Sequence, residues 1–200
     1  MPGHFDMSLP KYRKQQLSAH CALIAMPAVS PGEALGSAPK LRDTGGMSSL
    51  QYSESVVVAC SPEVLYDMVS DVTRMGEWSP VCRACWWEDG DGPRPGAFFI
   101  GRNEVPDRTW ETRSQVVTAD RGREFGFVVG DSWVRWGYTF TSVEEGTRLT
   151  ESWEFRPAGI ARFHDRYGDD APAQIADRTE AARTGIPVTL AAIKKAAESQ

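Results

Sequence analysis

The feature that most constrains this sequence is a run of alternating large apolar and polar side chains between Trp133 and Phe155. The run divides into two strand-like segments joined by Val143-Glu144-Glu145-Gly146, a short connection with glycine where a hairpin turn needs a positive φ. Because successive side chains of a strand point to opposite faces, each segment has one face of large residues. These faces carry Val134, Trp136, Tyr138 and Phe140 on the first segment and Leu149, Glu151, Trp153 and Phe155 on the second. The run predicts a β-hairpin with one buried face.

Glu151 is the exception on that face, because it places a carboxylate among large apolar side chains. Burying an unpaired charge costs several kcal/mol or more. Glu151 is therefore expected to be paired, to be protonated or to face a wet cavity. The structural alternative to a functional role is an ion pair across the sheet with one of three arginines, namely Arg102, Arg113 or Arg135.

Composition and charge limit the class of protein. A chain of 200 residues with 41% hydrophobic content can form one ordinary soluble domain. The net charge of -5 argues against a nucleic-acid binder that works by bulk electrostatics. No apolar run approaches the ~20 residues of a membrane-spanning helix. We expect a cytoplasmic protein with no nucleic-acid partner and no membrane insertion.

The cysteines include one C-x-x-C motif, Cys82-Arg83-Ala84-Cys85, beside Cys21 and Cys60. This spacing occurs in zinc and redox sites, but a zinc site needs a second pair of ligands, and no histidine or cysteine spacing supplies one. In a regular strand, residues three apart also point to opposite faces. We therefore expect ordinary thiols in a reducing cytoplasm, with no metal and no cofactor.

Residues 1–50 differ from the rest, because they are rich in proline, glycine and serine and show no sustained period of a helix or strand. They are predicted to form a disordered leader before a domain at residues 51–200. Two alternatives remain open. The basic residues from Lys11 to Lys14, followed by the short apolar stretch Cys21–Val29, are similar to a signal peptide. Translation could also begin at Met47, which would make the leader an artefact of the gene model.

The remaining sequence predicts a strand, two short helices, six more strands and a helical tail. The first helix begins at Ser61-Pro62-Glu63, an N-cap, a first-turn proline and an acid. A single curved sheet cannot bury its inner face alone, so the last helix must lie across it. The predicted strands are Ser53–Ala59, Cys82–Glu88, Ala97–Glu104, Thr109–Ala119, Glu124–Val129 and the hairpin; the short second helix or turn is Glu77–Pro80, and the tail helices are Ile160–Tyr167, Ala173–Arg183 and Ile186–Ser199.

The last helix also predicts a cavity. It offers small side chains where a filled core would carry leucine or phenylalanine, and space should remain between helix and sheet. These small residues are Ala191, Ala192, Ala196 and Ala197.

Several short strings make the chain similar to a known superfamily. They are Ala59-Cys-Ser-Pro-Glu63, Asp71-Val-Thr-Arg-Met-Gly-Glu-Trp-Ser-Pro80, Gly101-Arg-Asn103, Trp110-Glu-Thr112, Trp136-Gly-Tyr138 and Gly146-Thr-Arg-Leu-Thr-Glu-Ser-Trp153. Residues 51–200 resemble the START-like or helix-grip (SRPBCC) superfamily, in particular its polyketide cyclase/dehydrase and lipid-transport group and the small actinobacterial members of that group. The resemblance implies an α+β helix-grip fold, in which a curved antiparallel sheet of about seven strands wraps around a long C-terminal helix. It implies less about activity, since this scaffold hosts carriers, receptors and cyclases.

Strand parity selects the side chains that should line the cavity, with Met75 beside Trp78 at its mouth. We expect them to bind a small hydrophobic or aromatic ligand, lipid-like or polyketide-like, with no enzymatic step. The alternative is a cyclase or dehydratase in which Glu151 is the general acid/base and Tyr138 or Asn103 steadies an enolate. The structural interpretation is that these aromatic side chains only fill the hydrophobic core and bind no ligand. The first strand is expected to be an exposed edge of the sheet, where it could pair with the same strand of a second copy. The protein is therefore expected to be a monomer or a homodimer. The predicted ligand contacts are Trp78, Phe99, Asn103, Trp136, Tyr138, Glu151 and Trp153.

Overall fold

The computed structural model describes residues 49–90 and 92–199. The described part contains seven strands, three α-helices and two short 3₁₀ helices, the latter at Val72–Glu77 and Gly168–Asp170. The strands are β1 (Leu50–Val58), β2 (Cys82–Trp87), β3 (Phe98–Val105), β4 (Arg108–Asp120), β5 (Glu124–Val129), β6 (Val134–Val143) and β7 (Gly146–Phe155). The helices are α1 (Pro62–Ser70), α2 (Pro157–Tyr167) and α3 (Ala171–Glu198).

All seven strands form one antiparallel sheet in the order β1-β7-β6-β5-β4-β3-β2. The predicted architecture of a seven-stranded antiparallel sheet with a long C-terminal helix is thus confirmed. Strands β1 and β2 are its two edges, as the sequence suggested for the first strand. None of the helices in residues 49–90 and 92–199 is both long and apolar enough to span a bilayer.

Strands β6 and β7 form the predicted hairpin, with the connection at the predicted residues 143–146. Trp136 lies opposite Trp153, and Tyr138 lies opposite Glu151. The turn ends at Gly146, whose φ of 131° is open to glycine and strained for other residues. A Cβ atom at Gly146 would also lie 2.3 Å from the carbonyl oxygen of Val58, so this glycine allows the hairpin to approach the end of β1.

The C-terminal helix differs from the prediction, because the two expected segments form one helix of 28 residues. Pro187 lies inside it and cannot donate the usual backbone hydrogen bond one turn back. The helix continues because Ile186 and Leu190, on either side of that position, are almost fully buried against the sheet. Its end is fixed to β1, where Lys194 Nζ donates to the Val57 carbonyl at 2.7 Å and the Ala59 N–H donates to Glu198 at 3.0 Å.

The first strand begins at Leu50, earlier than the predicted Ser53, because Leu50 already pairs with Phe155 of β7. Leu50, the last residue of the predicted leader, therefore belongs to this strand. The rest of that prediction, up to residue 48, lies outside the described residues.

Candidate ligand-binding site

A cavity of about 90 Å³ lies between the inner face of the sheet and helix α3. Side chains of strands β2 to β7 form most of its wall, and the segment 75–81, which leads into β2, closes one side. Pockets for drug-sized ligands measure roughly 300–1,000 Å³. The cavity is also smaller than the roughly 150 Å³ engineered cavity that binds benzene, so even a ligand of one ring requires the walls to move.

Six of the seven predicted ligand contacts lie in the wall of this cavity. Trp153 is the exception, although it is buried on the same face of β7 as Glu151. Its ring packs against Phe155, which in turn meets Phe163 of α2 at 4.9 Å between ring centroids. Helix α2 thus fills the space beneath this end of the sheet, which strand parity alone does not reveal. The six are Trp78, Phe99, Asn103, Trp136, Tyr138 and Glu151.

Glu151 and Tyr138 form the polar end of the cavity. They are opposite each other on β7 and β6, and the Tyr138 hydroxyl donates a hydrogen bond of 3.0 Å to Glu151 Oε1. Glu151 is only 3% exposed, and its second oxygen, Oε2, has no hydrogen-bond partner. An unpartnered polar atom in such a wall is a natural contact for a ligand.

The alternative that Glu151 pairs with an arginine across the sheet is wrong. Arg102 pairs with Glu111, Arg113 pairs with Glu88 and Arg135 pairs with Glu124. Each of the three arginines thus pairs with another carboxylate, and the hydrogen-bond partner of Glu151 is Tyr138.

Burial raises the pKa of Glu151 to about 8, and the hydrogen bond from Tyr138 lowers it only in part. Burial also raises the pKa of Tyr138 well above its ordinary value of 10.0. At neutral pH both groups are therefore uncharged. A protonated Glu151 can donate a hydrogen bond to a ligand, which a carboxylate cannot do.

Asn103 supplies a second polar group in the wall. Its amide nitrogen donates to the Gly101 carbonyl at 3.1 Å and to Thr112 Oγ1 at 3.3 Å. The side chain is thus bonded to the backbone of its own strand. The same bonds fix its orientation beside the cavity.

Two residues of the wall, Pro80 and Gly185 of α3, also line an adjoining groove on the surface. The groove continues past Arg83, Val105 and the exposed Val188. The cavity and the groove are therefore neighbours at Pro80 and Gly185.

The sequence did not predict several parts of the wall, including Thr112 and Ser114 of β4 and Phe127 and Val129 of β5. Two further omissions, in helix α3 and in strand β2, have a clear structural cause. The helix contributes Gly185, Ile186 and Thr189 rather than the predicted alanines of its last turns, because α3 crosses the cavity nearer its middle. The only sequence signal was Gly185 itself, which the prediction assigned to a break between two helices.

The second omission is the cysteine pair. The register of β2 against β3 shifts between Cys82 and Ala84, and this bulge turns both Cys82 and Cys85 toward the cavity. The expectation that they point to opposite faces is wrong for that reason.

Residues 49–181 match the family model described as polyketide cyclase / dehydrase and lipid transport. A comparison with proteins of curated function finds no match. Among solved structures, the chain is similar to the polyketide-cyclase-like protein Cgl2372 from Corynebacterium glutamicum, with 51% identity and a TM-score of 0.59 over 76% of this chain and 93% of that one.

Two less similar structures share the fold. The di-domain ARO/CYC protein StfQ from the steffimycin biosynthetic pathway is 18% identical with a TM-score of 0.56, over 76% of this chain and 51% of StfQ. The KanY protein (ms6282) is 15% identical with a TM-score of 0.57, over 76% of this chain and 99% of KanY. The chain therefore spans about half of the di-domain protein.

Proposed function

Because this chain belongs to the polyketide cyclase/dehydrase and lipid-transport family, we propose that it binds a small hydrophobic or aromatic molecule, polyketide-like or lipid-like, with one hydroxyl or carbonyl group. The observation that carries this proposal is the unpartnered Oε2 of a buried Glu151 in a mostly apolar cavity. The aromatic walls supply binding energy through burial, and the carboxyl group orients the ligand.

The size of the cavity limits the ligand. At about 90 Å³ the space is smaller than the roughly 150 Å³ cavity that binds benzene, so a flat molecule of one or two rings whose polar group meets Glu151 must displace part of the wall. A longer chain would have to extend past Pro80 and Gly185 into the surface groove. Ligands that carry charge at the buried end are disfavoured, because desolvation of an ion is costly.

Calorimetric titration with 2-naphthol and with naphthalene tests this proposal. We expect 2-naphthol to bind about tenfold more tightly, which corresponds to one net hydrogen bond to Glu151. Thr189→Leu should abolish binding of both compounds, because Thr189 lines the cavity and is 6% exposed, so the larger side chain fills the space.

Ala191→Leu is the matched control, since Ala191 is an exposed residue of the same helix that lines neither the cavity nor the surface groove. This variant should bind 2-naphthol like the native protein, and thermal melting should show both variants folded. Equal binding of 2-naphthol by both variants would show that the ligand binds outside this cavity. Absence of any binding, together with native mass spectra of the protein from its own host that show no bound small molecule, would reject the proposal.

A second candidate is catalysis, which the raised pKa of Glu151 favours. The fraction of Glu151 that is ionised near neutral pH can take the α-proton of a 3-hydroxyacyl compound while the Tyr138 hydroxyl donates to the developing enolate oxygen. The protonated Glu151 then gives that proton to the departing hydroxyl group, which leaves as water. The test is dehydration of a 3-hydroxyacyl N-acetylcysteamine thioester, followed by absorbance of the conjugated product. If the protein is an enzyme, Glu151→Gln should lower turnover by about 10²–10⁴-fold. A carrier would show no turnover in the native protein.

We propose that the protein acts in the cytoplasm, whether it binds or converts its ligand. The support is that Cys60, Cys82 and Cys85 are free thiols, as is usual in a reducing compartment.

A further inference from the structure

Three sulfur atoms meet in the wall of the cavity beside strand β2. The Sγ atoms of Cys82 and Cys85 are 3.1 Å apart, and Met75 Sδ lies 3.7 Å from Cys85 Sγ. Both cysteines are buried, with 4% and 7% of their surface exposed. The proposed ligand binding assigns these thiols no role.

The fold brings the two thiols together by two features. In a regular strand, residues three apart are separated by about 10 Å, which exceeds the Cα–Cα distance that a disulfide can bridge. The bulge between Cys82 and Ala84 places both side chains on the inner face instead. Gly101 lies opposite Cys85 on β3, and a Cβ atom there would lie 3.3 Å from Cys85 Sγ and 3.8 Å from Cys82 Sγ. Its missing side chain therefore leaves room for both sulfurs.

We propose that Cys82 and Cys85 are a redox-active pair, which hydrogen peroxide converts to a reversible disulfide within the ligand cavity. The sulfurs need to approach by about 1 Å to reach the S–S bond length. The Cys82 thiolate attacks one peroxide oxygen, the O–O bond breaks, and a sulfenic acid and hydroxide result. The Cys85 thiol then gives up its proton, and its sulfur attacks Cys82 Sγ and displaces the hydroxyl group as water. Two thiols are oxidised, and one peroxide is reduced to two waters.

The surroundings of the two thiols distinguish their roles. The hydrogen bond between the two sulfurs lowers the pKa of Cys82 and raises the pKa of Cys85, which burial raises further. Cys82 is thus the attacking thiol and Cys85 the resolving one. Hydrogen peroxide is little larger than water, so a cavity of about 90 Å³ admits it. By contrast, burial raises the pKa of the half-buried Cys60. Cys60 should therefore react more slowly with hydrogen peroxide than Cys82, and it serves as a control within the same protein.

Trypsin gives a direct assay, because it cleaves after Arg83, between the two cysteines. Protein treated with hydrogen peroxide is alkylated under denaturing conditions, digested and analysed by mass spectrometry. We expect peptides 75–83 and 84–102 to appear as one linked species, two hydrogens lighter than their sum, and to separate after reduction with dithiothreitol. The peptides that carry Cys21 and Cys60 should remain alkylated at the same peroxide dose.

A second measurement assigns the roles. In Cys85→Ser the sulfenic acid has no partner, so Cys82 should be trapped by dimedone, whereas Cys82→Ser should give no dimedone adduct at Cys85. The native assay needs neither variant, so the proposal stays testable if one fails to fold. It is overturned if the two peptides of the native protein stay separate and alkylated, or if Cys60 is oxidised first.

Discussion

Replacement of Glu151 by glutamine is expected to stabilise the folded protein and to remove most of the pH dependence of its stability between pH 4.5 and about 8. Burial raises the pKa of this carboxyl group in the folded state, while the unfolded chain keeps the ordinary value of 4.5. Between these two values the folded protein holds a proton that the unfolded chain releases. The free energy of unfolding of the native protein therefore falls as the pH rises through this window, and the loss is complete above the folded pKa.

The size of this effect follows from the shift in pKa. At pH 7 the retained proton costs on the order of 3 kcal/mol relative to a neutral side chain of the same shape. Glutamine has that shape and stays neutral, and its amide can still accept the hydrogen bond from Tyr138. The measurement is urea denaturation of the native protein and Glu151→Gln at several pH values.

Glu154→Gln is the matched control for this experiment. Glu154 lies on the same strand but on the opposite face, where it pairs with Arg156 and is partly exposed. A surface ion pair of this kind contributes about 1 kcal/mol or less, so the control should keep the native pH dependence. If Glu151→Gln shows the same slope of stability against pH as Glu154→Gln, then Glu151 is already ionised in the folded protein.

The sheet was predictable because its signal is local and repeated. Alternation placed β5 at its observed bounds, Glu124–Val129, and correctly placed Glu151 among buried apolar residues. The break between the last two helices was not real, since Gly185 and Pro187 weaken a helix in isolation but are held by packing on the sheet. Tertiary contacts thus override the local propensity at this point.

The site was less predictable than the fold. Parity identifies which face a side chain occupies but not what fills the space above it, and Trp153 is covered by the ring stack that leads into α2. Parity also fails at a bulge, which no local residue preference near Cys82 announces. The sulfur pair and the contribution of Thr189 required the three-dimensional arrangement of β2 and α3.

Phe99→Ala is expected to cause the largest loss of stability among these variants. Phe99 is 2% exposed, and its ring meets those of Trp87 and Phe127 edge-on at 5.7 and 5.1 Å between centroids. Truncation removes these contacts and leaves a void that joins the ligand cavity. Such changes cost about 3–5 kcal/mol, which thermal and urea denaturation measure directly.

The adjacent residue on β3 provides the control for this loss. Phe98 points to the outer face, where the Arg113 guanidinium lies 3.5 Å from the centre of its ring, so Phe98→Ala should cost only about 1–2 kcal/mol. The larger cavity of Phe99→Ala should also change ligand binding. Naphthalene should raise the melting temperature of Phe99→Ala more than that of the native protein, because it fills the new void and stabilises only the folded state. The expectation is contradicted if Phe98→Ala and Phe99→Ala lose the same free energy of unfolding. It is also contradicted if naphthalene raises the melting temperature of Phe99→Ala no more than that of Phe98→Ala.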